Sequence, residues 1–158
     1  MDEAAKKTAL RMIPYGLFVL GVGEGQQATV STVNWVTQAS FAPPLVAVGV
    51  KKDTNTYELL QSTQKFAVSV LGSGQKDLAF AFFRHVEPNA GKFGDYAYET
   101  KTTGAPIIVD APAWWECNVT DVVDRGDHAI IVGEVVEAGV REQRDALTLK
   151  ECGVNYGG

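Results

Sequence analysis

Residues 32–44, TVNWVTQASFAPP, constrain this chain more than any other stretch. The β-branched residues of the run favour an extended backbone and mark a buried strand. Yet Thr32, Asn34, Thr37, Gln38 and Ser40 set polar groups along it, and each needs a hydrogen-bond partner if it leaves water. The residues alone leave two readings open. The strand flanks a concave apolar surface and reads the edge of a flat heterocycle, or it is an edge strand with an ordinary wet face. In both, Pro43-Pro44 interrupts ladder pairing before the apolar run Leu45 to Val50.

The flanking sequence extends this pattern into a meander. Asp2 caps a short helix over residues 3–12, and Pro14-Tyr15-Gly16 turns the backbone into a strand from Leu17 to Val22. Glu24 to Gln27 reads as a hairpin loop, leading into one strand from Ala28 to Thr37. A helix follows over 55–62, then a buried strand from Phe66 to Leu71. A second helix, Gln75 to Phe83, places Leu78, Ala79, Phe82 and Phe83 on one face, which packs on the sheet. Gly91 to Thr103 has no clean period and reads as an irregular excursion. Trp114–Val123 and Ala129–Ala138, joined by Asp124-Arg125-Gly126-Asp127, form a long hairpin with apolar residues on both faces. The expected architecture is mostly β, an antiparallel barrel with two or three short helices in one domain over residues 1–158.

Composition narrows the partners. Fourteen basic against 19 acidic residues leave a net charge of −5, which disfavours nucleic acid or an anionic membrane as main partner. An anionic ligand therefore needs a local cluster of positive charge. No run approaches the roughly 18 apolar residues of a membrane span, and the start MDEAAKKTALRM is not a signal peptide, so a cytoplasmic protein is expected. Cys117 and Cys152 lie far apart without CxxC spacing, so no metal site is indicated and both are read as reduced thiols.

One such cluster stands at Lys51-Lys52-Asp53-Thr54-Asn55-Thr56, where a strand gives way to a helix. Asn55 with Glu58 forms a capping box that leaves first-turn N–H groups free to face an anion. The bland reading is a plain helix cap beside a solvated lysine pair. The segment through residue 56, with the block GDHAIIVGEVVEAG at 126–139, resembles the flavin reductase-like, FMN-binding split-barrel family. The likeness runs from Tyr15-Gly16 to the tail.

That resemblance implies a split barrel with the FMN phosphate at Lys51, Lys52, Thr54 and Thr56, and further donors from Arg84 or a second chain. It places the isoalloxazine along Asn34, Trp35, Thr37, Gln38 and Ser40, with Thr32 at the start of the same strand. Trp35 is either a stacking partner or a core or dimer anchor. The GDH block puts His128 beside the nicotinamide or substrate, whereas His85 lacks such support and reads as surface. Tyr156 either closes over the flavin or belongs to a frayed end. FMN is implied rather than FAD. With no GxGxxG present, NAD(P)H is a transient substrate stacked on the flavin. The implied assembly is a homodimer with flavin sites near its interface. The leading expectation is an NAD(P)H:flavin oxidoreductase. The alternative is an FMN-binding electron-transfer module working with an acceptor or donor protein, without NAD(P)H activity of its own.

Overall fold

The computed structural model describes residues Met1–Gly158. The chain begins with helix α1 (Glu3–Arg11), started by the Asp2 carboxylate, which accepts from the N–H groups of Ala4 and Ala5 at 2.9 and 3.0 Å. Strand β1 (Phe18–Val22), a 3-10 turn over Gly25–Gln27, and strands β2 (Thr29–Val33), β3 (Val36–Ser40) and β4 (Leu45–Lys51) follow. Then come α2 (Asn55–Thr63), β5 (Lys65–Val70) and α3 (Lys76–Ala81). Four short strands, β6 (Pro88–Asn89), β7 (Lys92–Phe93), β8 (Tyr96–Glu99) and β9 (Ile107–Ile108), precede the long hairpin of β10 (Ala113–Val123) and β11 (His128–Val140). Helix α4 (Leu149–Cys152) ends on Gly153, whose φ of 69° is the left-handed cap that a glycine supplies without strain.

Seven strands form one antiparallel sheet in the order β2-β1-β5-β10-β11-β4-β3. The single strand expected over 28–37 is broken at Asn34-Trp35, and its two halves occupy opposite edges of this sheet. A flat sheet would put those edges about 29 Å apart at ~4.8 Å per strand. The three backbone steps from Val33 to Val36 span roughly 11 Å at most. The sheet is therefore rolled until its edges approach at Asn34-Trp35. Its inner face is the core: Val46, Val48 and Val50 alternate inward along β4 to meet Leu20, Phe66, Val68 and Ile131, and α2 adds Tyr57 and Leu60. Each fully buried side chain of this size contributes about 1.5–3 kcal/mol.

A second core lies outside the rolled sheet, where Leu17, Leu71, Leu78, Ala79 and Phe82 pack with Phe93, Ile108 and Leu147. It is covered by the four-stranded sheet β6-β7-β8-β9, which occupies much of the segment expected to be irregular. Buried Ser69 on β5 ties the two layers together, its hydroxyl accepting from the Ile108 N–H at 2.9 Å.

Three further expectations are corrected. There are four helices rather than two or three. Helix α3 stops at Ala81, so Phe83 leaves the packed face and is exposed, while Leu78, Ala79 and Phe82 are buried. The β10–β11 hairpin, whose apolar residues on both faces imply cover throughout, is covered only along the first half of each strand. It outreaches its neighbours, since β5 pairs with residues 113–118 and β4 with residues 128–134, leaving Val122, Val123, Val136 and Val140 exposed.

Candidate functional site

The crossing at Asn34-Trp35 opens onto a cleft of about 650 Å³ with apolar Leu17, Leu20 and Val33 at its base. That volume suits a small-molecule ligand. Hydrogen bonds fix its walls. The Thr32 hydroxyl donates to the Ala79 carbonyl at 2.6 Å and its N–H to the Phe82 carbonyl at 3.0 Å, holding the end of α3 against β2. Ser31 and buried Thr56 share a hydroxyl hydrogen bond of 2.7 Å, holding the start of α2 against the same strand.

Asn34 is only 6% exposed, yet its side-chain Nδ2 has no hydrogen-bond partner, and neither does Nε1 of Trp35. A buried donor left in this state costs ~1–3 kcal/mol, and both residues line the cleft. Gly49 is what lets Trp35 lie there. A Cβ at that position would come within 3.1 Å of the Trp35 side chain, and the Gly49 N–H donates to the Trp35 carbonyl at 2.8 Å. The indole also lies against His128 and Tyr156, with ring centroids at 4.6 and 5.2 Å.

The tail runs over this cluster. Tyr156 Oη and His128 Nε2 share a hydrogen bond of 2.8 Å, and His128 Nδ1 bonds Asp127 Oδ1 at 2.9 Å. The His128 hydrogen bond holds the Asp127 carboxyl below its ordinary pKa. Arg11 Nε donates to the Gly157 carbonyl at 3.1 Å, so both α1 and β11 contact the tail.

At the other end, the turn into α2 is arranged differently from expectation. Thr54, not Asn55, is the N-cap: its hydroxyl donates to the Lys51 carbonyl at 2.7 Å and accepts from the Tyr57 N–H at 3.2 Å. Lys51 lines the cleft with its ammonium 3.2 Å from exposed Asp53. Lys52 turns away to pair with Asp124 of the hairpin turn, a hydrogen bond that raises its pKa. No aspartate or glutamate lines the cleft, while Lys51 and Arg84 do. In a chain of net charge −5, that asymmetry favours an anion.

Thr32, Asn34, Trp35, Lys51, Thr54, Thr56, Arg84, His128 and Tyr156 are thus brought to one cleft. Thr37, Gln38, Ser40 and Lys52 are not. The first three sit on β3 beyond the crossing, where the Thr37 hydroxyl donates to the Gln38 carbonyl and the Gln38 amide to the Ser40 carbonyl. Sequence reasoning missed Ser31, Phe83, Val154 and Asn155, gave Asn55 only a capping role, and set aside His85, which is exposed but lines the cleft. The adjacency of Phe83 and His85 to Arg84 was the available signal. No group of three His, Cys, Asp or Glu side chains is placed to hold a metal, and Cys117 and Cys152 are buried free thiols.

The unpaired Asn34 amide, the acid-free lining and the cleft volume fit a flat anionic heterocycle such as a flavin. Comparison with known proteins agrees. The flavin reductase like domain matches residues 10–156. An NADH-dependent FAD reductase of Streptomyces globisporus is 37% identical over 87% of this chain and 76% of its own length. Among solved structures, a Streptomyces globisporus NADH:FAD oxidoreductase in complex with NAD and FAD fragments superposes with a TM-score of 0.76 at 33% identity, covering 86% of this chain and 81% of that one. The flavin reductase component of a bacterial two-component tryptophan halogenase gives a TM-score of 0.80 at 31% identity, covering 94% and 92%. The chain spans less than two thirds of other curated relatives it matches, 42% of one from Rhizobium meliloti and 57% of another. This chain belongs to the flavin reductase like domain family.

Proposed function

We propose that this chain is an NAD(P)H:flavin oxidoreductase holding FMN in the cleft at Asn34-Trp35, with split-barrel architecture and a homodimeric assembly. The observation that carries it is the buried, unpaired Asn34 Nδ2 in the wall of an acid-free cleft. When bound, the flavin would supply a two-electron acceptor for a hydride from a transient nicotinamide.

The chain's own residues hold, orient and shield. Asn34 donates its free amide protons to the carbonyl-rich edge of the ring, and backbone groups of the crossing serve the same edge. Lys51, Arg84 and the free N–H groups at the start of α2 take the anionic end, since the Thr54 hydroxyl is already committed to the cap. Trp35, His128 and Tyr156 form a lid of rings over one side, which excludes water and strengthens every interaction beneath it. His128, held by Asp127 from behind and bonded through Nε2 to Tyr156, sets that pair of rings on the nicotinamide side. Thr37, Gln38 and Ser40 belong to edge strand β3, beside Phe41, which is 90% exposed. An open edge next to a bare aromatic favours a second copy of the chain there, and these three residues serve the site from that interface, while Lys52 stays paired with Asp124.

The test is an absorption spectrum of the purified chain with FMN, followed by an oxygen-free NADH and NADPH titration. Bleaching of the bound flavin at stoichiometric nucleotide is expected. Bound flavin that neither nucleotide bleaches would instead mark an electron-transfer module served by a partner protein. Failure to bind flavin at all would end the proposal.

A further inference from the structure

The chain is firmly held up to α4 and lightly held beyond it. Before α4, fully buried Leu147 donates its N–H to the Leu71 carbonyl at 2.8 Å and accepts from the Leu17 N–H at 2.8 Å, and the Leu149 N–H donates to the Tyr15 carbonyl at 3.0 Å. Cys152 is the last buried residue. After it, none of the backbone N–H groups of residues 154–158 donates to another protein atom. Two hydrogen bonds hold the whole segment, Tyr156 Oη with His128 Nε2 at 2.8 Å and Arg11 Nε with the Gly157 carbonyl at 3.1 Å. Yet Val154, Asn155 and Tyr156 form part of the wall of the cleft at Asn34-Trp35.

A segment with little buried surface and few hydrogen bonds opens at low free-energy cost. Gly153 is where this one can turn. Its φ is 69°, and a Cβ there would meet nothing within 4 Å, so the backbone is free to rotate without a clash. The anchor at the other end is light as well, since α1, which carries Arg11, has no buried residue. Arg11 itself is exposed, makes no other hydrogen bond or ion pair, and does not line the cleft. Any effect it has on a ligand in the cleft must pass through the tail.

We propose that residues 154–158 are a strap, hinged at Gly153, that has to swing off the cleft for flavin to enter or leave, and that Arg11 is a positioning residue that sets how often it opens. The Tyr156–His128 bond closes the cover of rings from the tail across to β11. A flat tricyclic ring is held by being enclosed, and an enclosure has to open for exchange. The identity of the ligand rests on the flavin reductase reading; the opening of the strap does not.

The test is stopped-flow binding and release of FMN in the parent chain and in Arg11→Met, which keeps the apolar stem and cannot donate. Binding and release rates should both rise about fivefold, the worth of one hydrogen bond, with Kd unchanged within twofold. A gate speeds both directions alike. Faster release at an unchanged binding rate would make the tail a fixed wall that touches the ligand, and unchanged rates would remove its role in exchange; either result overturns the strap. A second measurement needs no ligand. Relaxation dispersion of the Gly157 and Gly158 amides in the flavin-free chain should show exchange between a major and a minor state, with the minor population about fivefold larger in Arg11→Met. That result in a chain that binds no flavin would keep the strap and sink the reductase reading. Absence of such exchange in both proteins overturns the strap whatever the chain binds.

Discussion

Glu116 and Asn34 are both buried polar side chains, and the chain treats them in opposite ways. Glu116 on β10 is fully buried and accepts from Thr102 N–H at 3.0 Å, Thr103 N–H at 2.8 Å and the Thr103 hydroxyl at 2.6 Å. Asn34, at the crossing, keeps an amide nitrogen with no partner. A carboxylate closed by three donors pins the loop over 102–105 to the sheet and has nothing left to offer a ligand. An amide left open beside a cavity carries a standing cost that a ligand removes. The contrast has a limit, since Trp115 Nε1 is also buried and unpaired and does not line the cleft at Asn34-Trp35. An unpaired donor marks a binding site only where there is room beside it. Nothing in the structure accounts for the one on Trp115.

The largest effect that sharpens this contrast is at the closed end. Glu116→Ala orphans three donors at once, and loss of about 3–5 kcal/mol of stability is expected, read from the urea midpoint. Flavin affinity of the fraction still folded should be unchanged. A loss below ~1 kcal/mol would mean that water replaces the carboxylate and that the closed network is not structural. Next in size is the open end. Asn34→Ala removes a donor that the empty fold leaves unpaired, so stability read from the urea midpoint should hold or rise, by up to about 1–3 kcal/mol of relieved desolvation, while flavin affinity falls about tenfold by equilibrium titration. A destabilised protein that binds flavin normally would reverse the roles assigned to the two residues.

The elements that could be read from the sequence are those whose own residues decide them. Val46, Val48 and Val50 alternate, and Asp2 precedes a helix that it caps. The break at Asn34-Trp35 could not be read, because it follows from the whole sheet: residues on both sides favour strand, and only the strand order assigns them to opposite edges. Two-residue strands such as β6 and β7 are too short to show a period. At the turn into α2, Thr54 and Asn55 are both good caps, so the sequence reading missed by one residue. The two lysines were separable in principle. Lys51 shares its face of β4 with Gly49, against which Trp35 packs, whereas Lys52 lies past the end of the strand. The tail's neighbours in the cleft, Val154 and Asn155, carry no periodic or charge signal at all.

The smallest effect asks whether satisfaction matters without burial. Glu151 on α4 accepts from the Ser73 hydroxyl at 2.6 Å and the Gly74 N–H at 2.8 Å, much as Glu116 does, but it is exposed. The Ser73 hydrogen bond, with help from the Gly74 N–H and the charge of Arg144, lowers its pKa below the ordinary carboxylate value. A carboxyl with a depressed folded-state pKa stabilises the fold above its unfolded-state value, and that contribution disappears as pH falls through the lower, folded-state value. The urea midpoint should therefore drop between about pH 5 and 3 by more in the parent chain than in Glu151→Gln. Because water competes for an exposed carboxylate, the difference should be far smaller than the loss in Glu116→Ala. Equal acid slopes for the parent and Glu151→Gln would show that hydrogen bonds count in this fold only where water is kept out.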